Sequence, residues 1–519
     1  MWENNLLIEK IKEEKNLILV LLLYSLFSII LFSHYKYVIN SDGIAYISIA
    51  KYYFDGHISY AINGYWSPLY SWILLPFLVL WSGNLGNIMV MKIMGVIIGL
   101  FTLTAINSIL NNLNIDIGQK TILLLSLIPF VLYFSLRFTT PDLLVTCILL
   151  YYFNCLIDKK YRKLTSLGLI TGILGAIAFL AKSYCFYFFI VHFILTSLFF
   201  MKNFPEDRSV IKKNFLLGLS IFLVISGVWV GIISEKYGVI TVGTAGSYNH
   251  AIVGPNSNGH LTRYQILTPP HEFAVSSWED PSYFEVNKWN PLESKQALNH
   301  QITIILGNIW IILFFSISNN FITFFAFILA LYLFLKSSKK SIKNNIILFI
   351  GTMIIYTGGY TFIVIEERYL SFFLLLSFLL AFYSLSMLFK ENLIKYNYFK
   401  FVSIFLGLLL FLYPILPMSN LPIDGYSEVY DNSLELKLKG VMGNMASNGQ
   451  CDVMLYYCYY LDSKYYGVAK NQSNIELKEN LISNKIDYYF IWGDPSSNLD
   501  LGEIVYQNRD FRVLRVSKS

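Results

Sequence analysis

The sequence predicts a multi-span α-helical membrane protein with about 11 transmembrane helices, in a range of roughly 10 to 13. Two observations lead to this fold class. Of the 519 residues, 55% are hydrophobic and only 14% are charged, whereas soluble domains carry about 25% charged residues. Apolar runs long enough to cross a bilayer also recur along the chain. This composition excludes a cytosolic enzyme, a disordered protein and a disulfide-stapled secreted module.

The apolar runs give eleven predicted spans. They lie near 16–33, 88–110, 120–137, 141–157, 164–181, 183–200, 214–233, 317–335, 345–363, 369–389 and 401–417. Two further apolar stretches, 66–82 and 301–316, are ambiguous, because each could cross the membrane or lie in its interface.

The distribution of Lys and Arg resolves this ambiguity. If the N-terminus is inside and neither stretch spans, the inner segments hold 19 Lys and Arg in 63 residues and the outer segments hold 9 in 131. Basic residues accumulate in cytoplasmic loops. We therefore interpret 66–82 as a helix in the outer interface and 301–316 as an interfacial segment that leads into a span.

Three pieces of the chain then lie outside: the loops 34–87 and 234–300, and the tail after residue 417. We expect residues 1–417 to form the membrane domain and 418–519 to form a small α/β extracytoplasmic domain. The tail is predicted to contain helices at Ser433–Ala446 and Ile475–Asn484, and strands at Asp452–Tyr457, Asp487–Trp492 and Phe511–Val516. A strand through Cys451 and Cys458 would hold the two thiols too far apart for a disulfide.

Two aspartates are the candidate acids. Asp42 follows the first span, where an outward-facing enzyme would place an active carboxylate, although Ser41 or Asp42 could instead cap the next helix. Asp142 follows Pro141 at the start of a predicted span. There it could simply favour the positive end of the helix dipole.

Three cations share the outer face with these acids: Arg137, Lys182 and Arg368. Ionisable groups near lipid usually line a cavity or a site, but Lys182 could snorkel and Arg368 could form an internal pair with a glutamate of the Glu366-Glu-Arg-Tyr369 turn. Two acids and three cations together suit a lipid phosphate and a proton acceptor. The sequence contains no zinc spacing, phosphate-binding loop or nucleophile elbow, and no basic stripe that would indicate a nucleic-acid partner.

Aromatic residues dominate the first outer loop. His57, Tyr65, Trp66 and Tyr70 are candidate substrate-binding residues, because such rings can stack on sugars. The same rings could equally form an interfacial belt. In the second loop His250, His260 and His271 are candidates for acceptor or metal contact, with solvated loop histidines as the simpler interpretation.

Several short motifs together resemble the GT-C class of membrane glycosyltransferases, in particular the protein O-mannosyltransferase and aminoarabinose-transferase branch. They are the acid after span one (Asp42, with Tyr46 and Ala50), Trp66-Ser-Pro-Leu-Tyr-Ser-Trp72, Arg137 with Pro141-Asp142, Gly172 and Gly175 with Leu180-Ala-Lys182, and Arg368-Tyr369. The resemblance covers residues 16–390 and rests on the order and common outer placement of motifs that are individually short.

The resemblance implies an inverting transfer of a monosaccharide from a polyprenyl-phosphate donor to an acceptor hydroxyl on the extracytoplasmic face. It assigns Asp42 as general base, Asp142 as the second acid, and Lys182 and Arg368 as contacts of the donor phosphate, which Arg137 would join. Gly43 follows Asp42 where the family often has a second acid, and Ser67 precedes a single Pro68 where the aminoarabinose branch has a lysine before a proline pair. No cofactor is therefore assigned, and a divalent metal stays open.

Two other functions fit part of the pattern. A polysaccharide polymerase or ligase also uses large outer loops and polyprenyl carriers. A transporter or flippase of lipid-linked saccharides would need charges at mid-membrane depth, and Lys92 is the main charge within a predicted span. The expected partners are the lipid-linked donor, the bilayer and a glycan, lipid or protein acceptor. We expect the plasma membrane as the location, with the N-terminus inside and the C-terminal domain outside.

Overall fold

The computed structural model describes residues 2–81, 83–317, 321–415, 418, 425–469, 472–493 and 501–517. The helices are α1 (Trp2–Tyr35), α2 (Ser41–Phe54), α3 (Ile58–Ala61), α4 (Leu69–Leu74), α5 (Asn84–Asn112), α6 (Ile117–Arg137), α7 (Asp142–Ile157), α8 (Ser166–Ala181), α9 (Tyr184–Asn203), α10 (Arg208–Tyr237), α11 (Ala245–Ile252), α12 (Lys295–Ile317), α13 (Phe321–Lys336), α14 (Lys340–Tyr360), α15 (Ser371–Lys390), α16 (Tyr396–Leu412), α17 (Gly425–Leu438), α18 (Cys451–Tyr460) and α19 (Asn474–Ser483).

The strands are β1 (Asn444–Ser447), β2 (Lys464–Val468), β3 (Tyr488–Trp492), β4 (Gly502–Gln507) and β5 (Phe511–Val516). The chain divides into two compact units. Unit 1 comprises Met1–Ser33, Lys92–Val242 and Pro291–Leu421, and unit 2 comprises His34–Met91, Gly243–Asn290 and Pro422–Ser519. The domain boundary predicted after residue 417 stays a prediction, since residue 417 lies outside the described part of the chain.

The helices of unit 1 confirm a multi-span helical membrane protein. By length and composition, seven apolar stretches in the described chain can cross a bilayer. They correspond to all or most of the helices α1, α5, α6, α9, α10, α12 and α15. Four shorter apolar helices, α7, α8, α13 and α16, accompany them. Each of the eleven predicted spans coincides with a helix, the one at 345–363 being α14. The central helix is α15, which is buried along almost its whole length because neighbouring helices surround it.

The two stretches that are ambiguous in the sequence, 66–82 and 301–316, differ in helix length. Residues 66–82 contain the six-residue helix α4 followed by a single 3-10 turn, which is far too short to cross a bilayer. Residues 301–316 lie within α12, which has 23 residues and, by length and composition, an apolar window long enough to span. The interpretation of this stretch as an interfacial segment that leads into a span stays a prediction.

Small residues bring α8 and α10 into backbone contact. A Cβ atom at Gly172 would overlap the carbonyl oxygen of Gly218, and one at Gly168 would lie only 2.5 Å from the Cα atom of Asn214. The Asn214 side chain accepts from the Gly168 amide at 3.0 Å and donates to the Leu164 carbonyl at 3.1 Å. Packing through small residues and a buried polar group is how helices associate where lipid removes the hydrophobic driving force.

Unit 2 contains a five-stranded mixed sheet in the order β2-β1-β3-β5-β4. Strands β2, β1 and β3 run parallel, and β5 pairs antiparallel with β3 and β4. The helix α19 begins with a capping box, in which Ser473 accepts from the Glu476 amide and Glu476 accepts from the Ser473 amide. The small α/β domain is therefore confirmed.

The prediction for the tail was wrong in two places. Residues 452–457 are helical, in α18, where a strand was expected. The helix predicted over Ser433–Ala446 ends at Leu438, and Ala446 lies in β1. Strands β1, β2 and β4 were not predicted. In the described structure Cys451 and Cys458 are free thiols, and their separation follows from α18 rather than from a strand.

The edge strand β2 is covered by the part of the 234–300 loop that belongs to the same unit, Gly243–Asn290. The Leu267 amide donates to the Tyr466 carbonyl, and the Tyr465 amide donates to the Val275 carbonyl, both at 2.7 Å. These bonds form isolated bridges beside the strand. Covering an edge in this way satisfies its unpaired backbone groups and blocks further strand addition.

The close approach of α8 and α10 gives a stability test. Gly172→Ala places a methyl group against the Gly218 carbonyl, so we expect the free energy of unfolding to fall by about 1–3 kcal/mol. Gly231→Ala on α10 is the matched control, because a Cβ atom there meets nothing within 4 Å and alanine favours helix. Thermal unfolding of the purified protein in detergent measures both. Equal melting temperatures for the two variants would contradict the packing described.

Candidate functional site

Asp142 lies at the first position of α7, directly after Pro141. Proline suits the start of a helix because its fixed φ is compatible and its missing amide leaves no donor unpaired. The carboxylate is buried, with 5% of the residue exposed. Its Oδ2 accepts from the Thr140 hydroxyl at 2.7 Å. An acid this deeply buried requires further compensation.

Lys182 supplies the first compensating charge. Lys182 directly follows Ala181, the last residue of α8, so its side chain lies at the same end of the bundle as Asp142. Its Nζ donates to Asp142 Oδ1 at 2.6 Å and lies 3.6 Å from the centroid of the Tyr369 ring. Lys182 is therefore held by an ion pair and an aromatic face.

Arg368 supplies the second charge, from the 3-10 turn that precedes α15. Its Nε lies 2.7 Å from Glu366 Oε2 and 3.7 Å from Asp142 Oδ2. The Tyr369 hydroxyl donates to Glu366 Oε1 at 3.3 Å. We call these five residues the Asp142 cluster: Asp142, Lys182, Glu366, Arg368 and Tyr369.

The two carboxylates of the Asp142 cluster differ in exposure. The Asp142 side chain is 5% exposed and that of Glu366 is 47% exposed. The Asp142 cluster thus contains one buried carboxylate, which lies between two cations, and one half-exposed carboxylate.

Arg137 lies at the end of α6, beside the turn that carries Arg368. Its guanidinium is 5.9 Å from the centroid of the Tyr133 ring, and the Tyr133 hydroxyl donates to Glu367 Oε2 at 3.0 Å. Lys92, fully buried on α5, donates to the Leu136 carbonyl and lies 3.5 Å from the Arg137 carbonyl. This lysine therefore satisfies the C-terminal carbonyls of α6 and is an end-of-helix charge rather than a mid-span one.

Asp42 belongs to unit 2, so the sequence-predicted residues divide between the units. It lies in the first turn of α2, whose N-cap is Asn40. Asp42 and Ser41 are thus helical residues, and the capping interpretation does not describe them. The indole Nε1 of Trp278, from the second loop, donates to Asp42 Oδ1 at 3.0 Å.

Three elements of unit 2 meet beside Asp42. The Ser41 hydroxyl donates to Asp452 Oδ1 at 2.8 Å, and Arg263 Nη2 donates to Asp452 Oδ2 at 3.3 Å. His260 packs edge-on against Trp278, with ring centroids 4.5 Å apart. Burial, followed by the Arg263 charge, lowers the pKa of His260 to about 4. This histidine is therefore neutral at pH 7.

The predicted substrate-binding aromatics pack inside unit 2. His57 stacks on Phe273 with ring centroids 4.2 Å apart. Tyr65 and Trp66 are 8% and 6% exposed, and Tyr70 is 1% exposed. Trp66 Nε1 donates to the Trp278 carbonyl at 3.1 Å. Their role in substrate binding stays a prediction, and the contacts show that Tyr65 and Trp66 support the segment that reaches Asp42.

The histidines of the second loop are packed rather than solvated. His250 stacks on Trp289 with centroids 4.5 Å apart, and His271 stacks on Tyr60 at 4.2 Å. Within the described part of the chain, no group of three or more His, Cys, Asp or Glu side chains is arranged to hold a metal ion.

Sequence reasoning missed two residues that the structure brings beside Asp42: Trp278 and Asp452. Each contacts α2 from more than 200 positions away in the chain, so no local spacing could reveal them. Tyr369 was named in the sequence only as part of the motif Arg368-Tyr369, and its contact with Lys182 depends on the fold.

The burial of Asp142 predicts a large effect of neutralising it. Asp142→Asn removes the shared counter-ion of Lys182 and Arg368, so we expect the free energy of unfolding to fall by about 3 kcal/mol. Asp452→Asn is the control, because the Arg263–Asp452 pair is half-exposed and such pairs contribute under about 1 kcal/mol. Thermal unfolding in detergent compares them. A loss no larger for Asp142→Asn than for the control would contradict the ion pairing described.

Comparison with known proteins finds likeness in structure only. No protein-family model and no curated protein matches the sequence. ArnT from Cupriavidus metallidurans, solved bound to undecaprenyl phosphate, superposes with a TM-score of 0.54 at 11% identity, covering 95% of this chain and 97% of that one. The Archaeoglobus fulgidus oligosaccharyltransferase, solved in complex with Zn and sulfate, gives a TM-score of 0.53 at 12% identity, covering 91% of this chain and 68% of that one. The chain therefore has the fold of the GT-C membrane glycosyltransferases.

Proposed function

We propose that this protein is an integral membrane glycosyltransferase that moves a monosaccharide from a polyprenyl-phosphate donor to an acceptor hydroxyl on the extracytoplasmic face. The observation that carries the proposal is the Asp142 cluster, in which Lys182 and Arg368 share the buried Asp142 carboxylate and Arg368 also pairs with the half-exposed Glu366. The GT-C fold, seen also in a protein solved with undecaprenyl phosphate, supports the choice of an anionic lipid as the ligand.

The donor phosphate would take the place of Glu366 on Arg368. A guanidinium binds phosphate oxygens through parallel N–H bonds, and these charge-assisted bonds are the stronger kind. Lys182 would add a point charge, while Asp142 would keep both cations in position. When the glycosidic bond breaks, negative charge grows on the departing phosphate, and the two cations would stabilise it. Arg137 would extend the positive field along the same edge of unit 1.

Asp42 would act as the general base. Its carboxylate would take the proton of the acceptor hydroxyl as that oxygen attacks the anomeric carbon. One attack from the face opposite the phosphate inverts the configuration at that carbon, so no covalent sugar intermediate is required. The Trp278 indole supports this role, because an N–H that donates to one carboxylate oxygen at 3.0 Å fixes the orientation of the group.

The location follows from the distribution of basic residues. With 19 Lys and Arg in the short inner segments, the proposal places the N-terminus inside a plasma membrane and the C-terminal domain outside. The acceptor would be a glycan, lipid or protein hydroxyl, and unit 2 would bind it because Asp42 belongs to that unit.

The base assignment predicts the effect of a single substitution. Asp42→Asn removes the proton acceptor, so we expect sugar transfer to fall by about 100-fold or more with an unchanged melting temperature. Asp55→Asn, at the exposed other end of α2, should keep full activity. Transfer from a radiolabelled polyprenyl-phosphate monosaccharide in detergent measures both. Full activity of Asp42→Asn would exclude this residue as the base.

The phosphate assignment predicts a change in donor affinity. Lys182→Met removes one charge-assisted contact, so we expect the KM for the donor to rise by about tenfold or more. Lys202→Met, on the exposed last turn of α9, is the control. Melting temperatures show whether the variants are folded. An unchanged donor KM in folded Lys182→Met would contradict a phosphate site at this residue.

A parallel assay separates the proposal from the polymerase and ligase alternative. The purified protein would be incubated with a polyprenyl-phosphate monosaccharide and, in a second reaction, with a polyprenyl-diphosphate oligosaccharide. We expect turnover of the first donor only. Turnover of the second donor alone would replace the proposed reaction with oligosaccharide transfer.

A further inference from the structure

The segment 273–280 of the second outer loop lies along α2, the helix that carries Asp42. Near the start of the helix, Trp278 Nε1 donates to Asp42 Oδ1 at 3.0 Å. Near its end, the Tyr52 hydroxyl lies within hydrogen-bond distance of the Glu279 carboxyl group. Because residues 278 and 279 are adjacent, the orientation of the indole over Asp42 depends on how Glu279 is held.

Glu279 is held from several directions. Its Oε1 accepts from the Val275 amide at 2.8 Å, which closes the turn of its own segment. Its backbone carbonyl accepts from Asn63 Nδ2 at 2.7 Å. The residue is 2% exposed. The carboxyl group thus joins α2 to the second outer loop, and the backbone carbonyl of the same residue bonds to Asn63 of the first.

The hydrogen count at Tyr52 favours a protonated carboxyl group. The Tyr52 hydroxyl oxygen lies 3.0 Å from the Phe273 carbonyl oxygen and also in hydrogen-bond contact with Glu279 Oε2. A hydroxyl has one hydrogen and cannot donate to both acceptors at once. If Glu279 carries the proton, its O–H donates to Tyr52, and Tyr52 donates to Phe273. The Glu279 O–H, the Tyr52 hydroxyl and the Phe273 carbonyl then each have a hydrogen-bond partner.

The surroundings agree with this protonation state. Burial is the largest influence on Glu279 and raises the pKa of its carboxyl group to about 7. The Tyr52 and Ser48 hydroxyls and the Lys51 ammonium face it from α2, and the Val275 amide faces it from its own loop. Each of these groups lowers that pKa, but less strongly than burial raises it. From its own loop, His271 packs edge-on against the Tyr52 ring at 5.1 Å.

We propose that Glu279 is a positioning residue for Asp42, whose neutral carboxyl group joins Tyr52 to the 273–280 segment and so holds the Trp278 indole on the Asp42 carboxylate. The inference rests on the proposed function, in which Asp42 is the general base. Ionisation of Glu279 leaves Tyr52 with two competing acceptors and loosens the segment. Transfer activity then falls as pH rises through the pKa of Glu279, because the bonded form is fully present only below it.

The test compares two substitutions of the same residue. Glu279→Gln is close in shape to the neutral acid, since its amide can donate to Tyr52 and accept from Val275. Glu279→Ala removes both bonds. We expect Glu279→Ala to lower kcat by about 10- to 100-fold with little change in the donor KM, and Glu279→Gln to restore kcat. Glu285→Ala, exposed in the same loop, is the control and should match the wild type.

The pH profile tests positioning against a merely structural role. The ratio of wild-type kcat to Glu279→Gln kcat should be constant at low pH and fall above about pH 7, because only the wild type ionises there. Parallel profiles would overturn the proposal. This comparison remains decisive if Glu279→Ala does not fold, since it uses only the wild type and the conservative variant.

A double-mutant cycle tests the route through Trp278. In a Trp278→Phe background the indole N–H is already absent, so Glu279→Ala should add little further loss of kcat. Full additivity of the two losses would overturn the proposal. The outcome is separable from the base assignment: a failed Glu279 test with inactive Asp42→Asn leaves the proposed function standing, whereas active Asp42→Asn removes the base whatever Glu279 does.

Discussion

The placement of a negative charge inside an apolar bundle is the constraint on which unit 1 depends. Asp142 has almost no contact with solvent, and removing an isolated carboxylate from water is so unfavourable that it would not remain ionised alone. Lys182 and Arg368 make its burial tolerable, and each is presented by the end of a different helix. The ion pairs therefore fix the relative positions of α7, α8 and α15. In the same arrangement Lys182 and Arg368 share the buried Asp142 carboxylate, and Arg368 also pairs with the half-exposed Glu366.

In unit 2 the main structural requirement is different: a long irregular loop must be held in one conformation. The 234–300 loop has few regular elements of its own. It is fixed by aromatic stacking, by the indole bond to Asp42 and by hydrogen bonds around Glu279. Such contacts are individually modest, but together they give an irregular segment a defined path along α2. The residues expected to bind sugar, among them Trp66 and Tyr70, lie mainly within this supporting framework.

Hydropathy predicted much of the fold, whereas the sequence predicted much less of the candidate site. The predicted spans coincide with helices because apolar length is a direct consequence of bilayer thickness. The segment 452–457 was misread because it is rich in tyrosine and hydrophobic residues, which favour strands, whereas the packing of α18 against the sheet buries them as a helix. Asp142, Lys182 and Arg368 were found together because charges are rare in this chain. Glu279 was not found, since its role depends on Tyr52, which lies 227 positions away.

Because the second outer loop covers the edge of β2, the loop and the C-terminal sheet cannot be exchanged independently of each other. Residues 265–276 of the second loop complete the sheet of the C-terminal domain, and the next residues of the same loop reach Asp42. The C-terminal domain therefore cannot be exchanged on its own. A chimera that exchanges it between proteins of this fold must carry the 234–300 loop with it. Sequence changes in the two segments are also expected to accumulate together, so that the loop and the sheet diversify as one inherited piece.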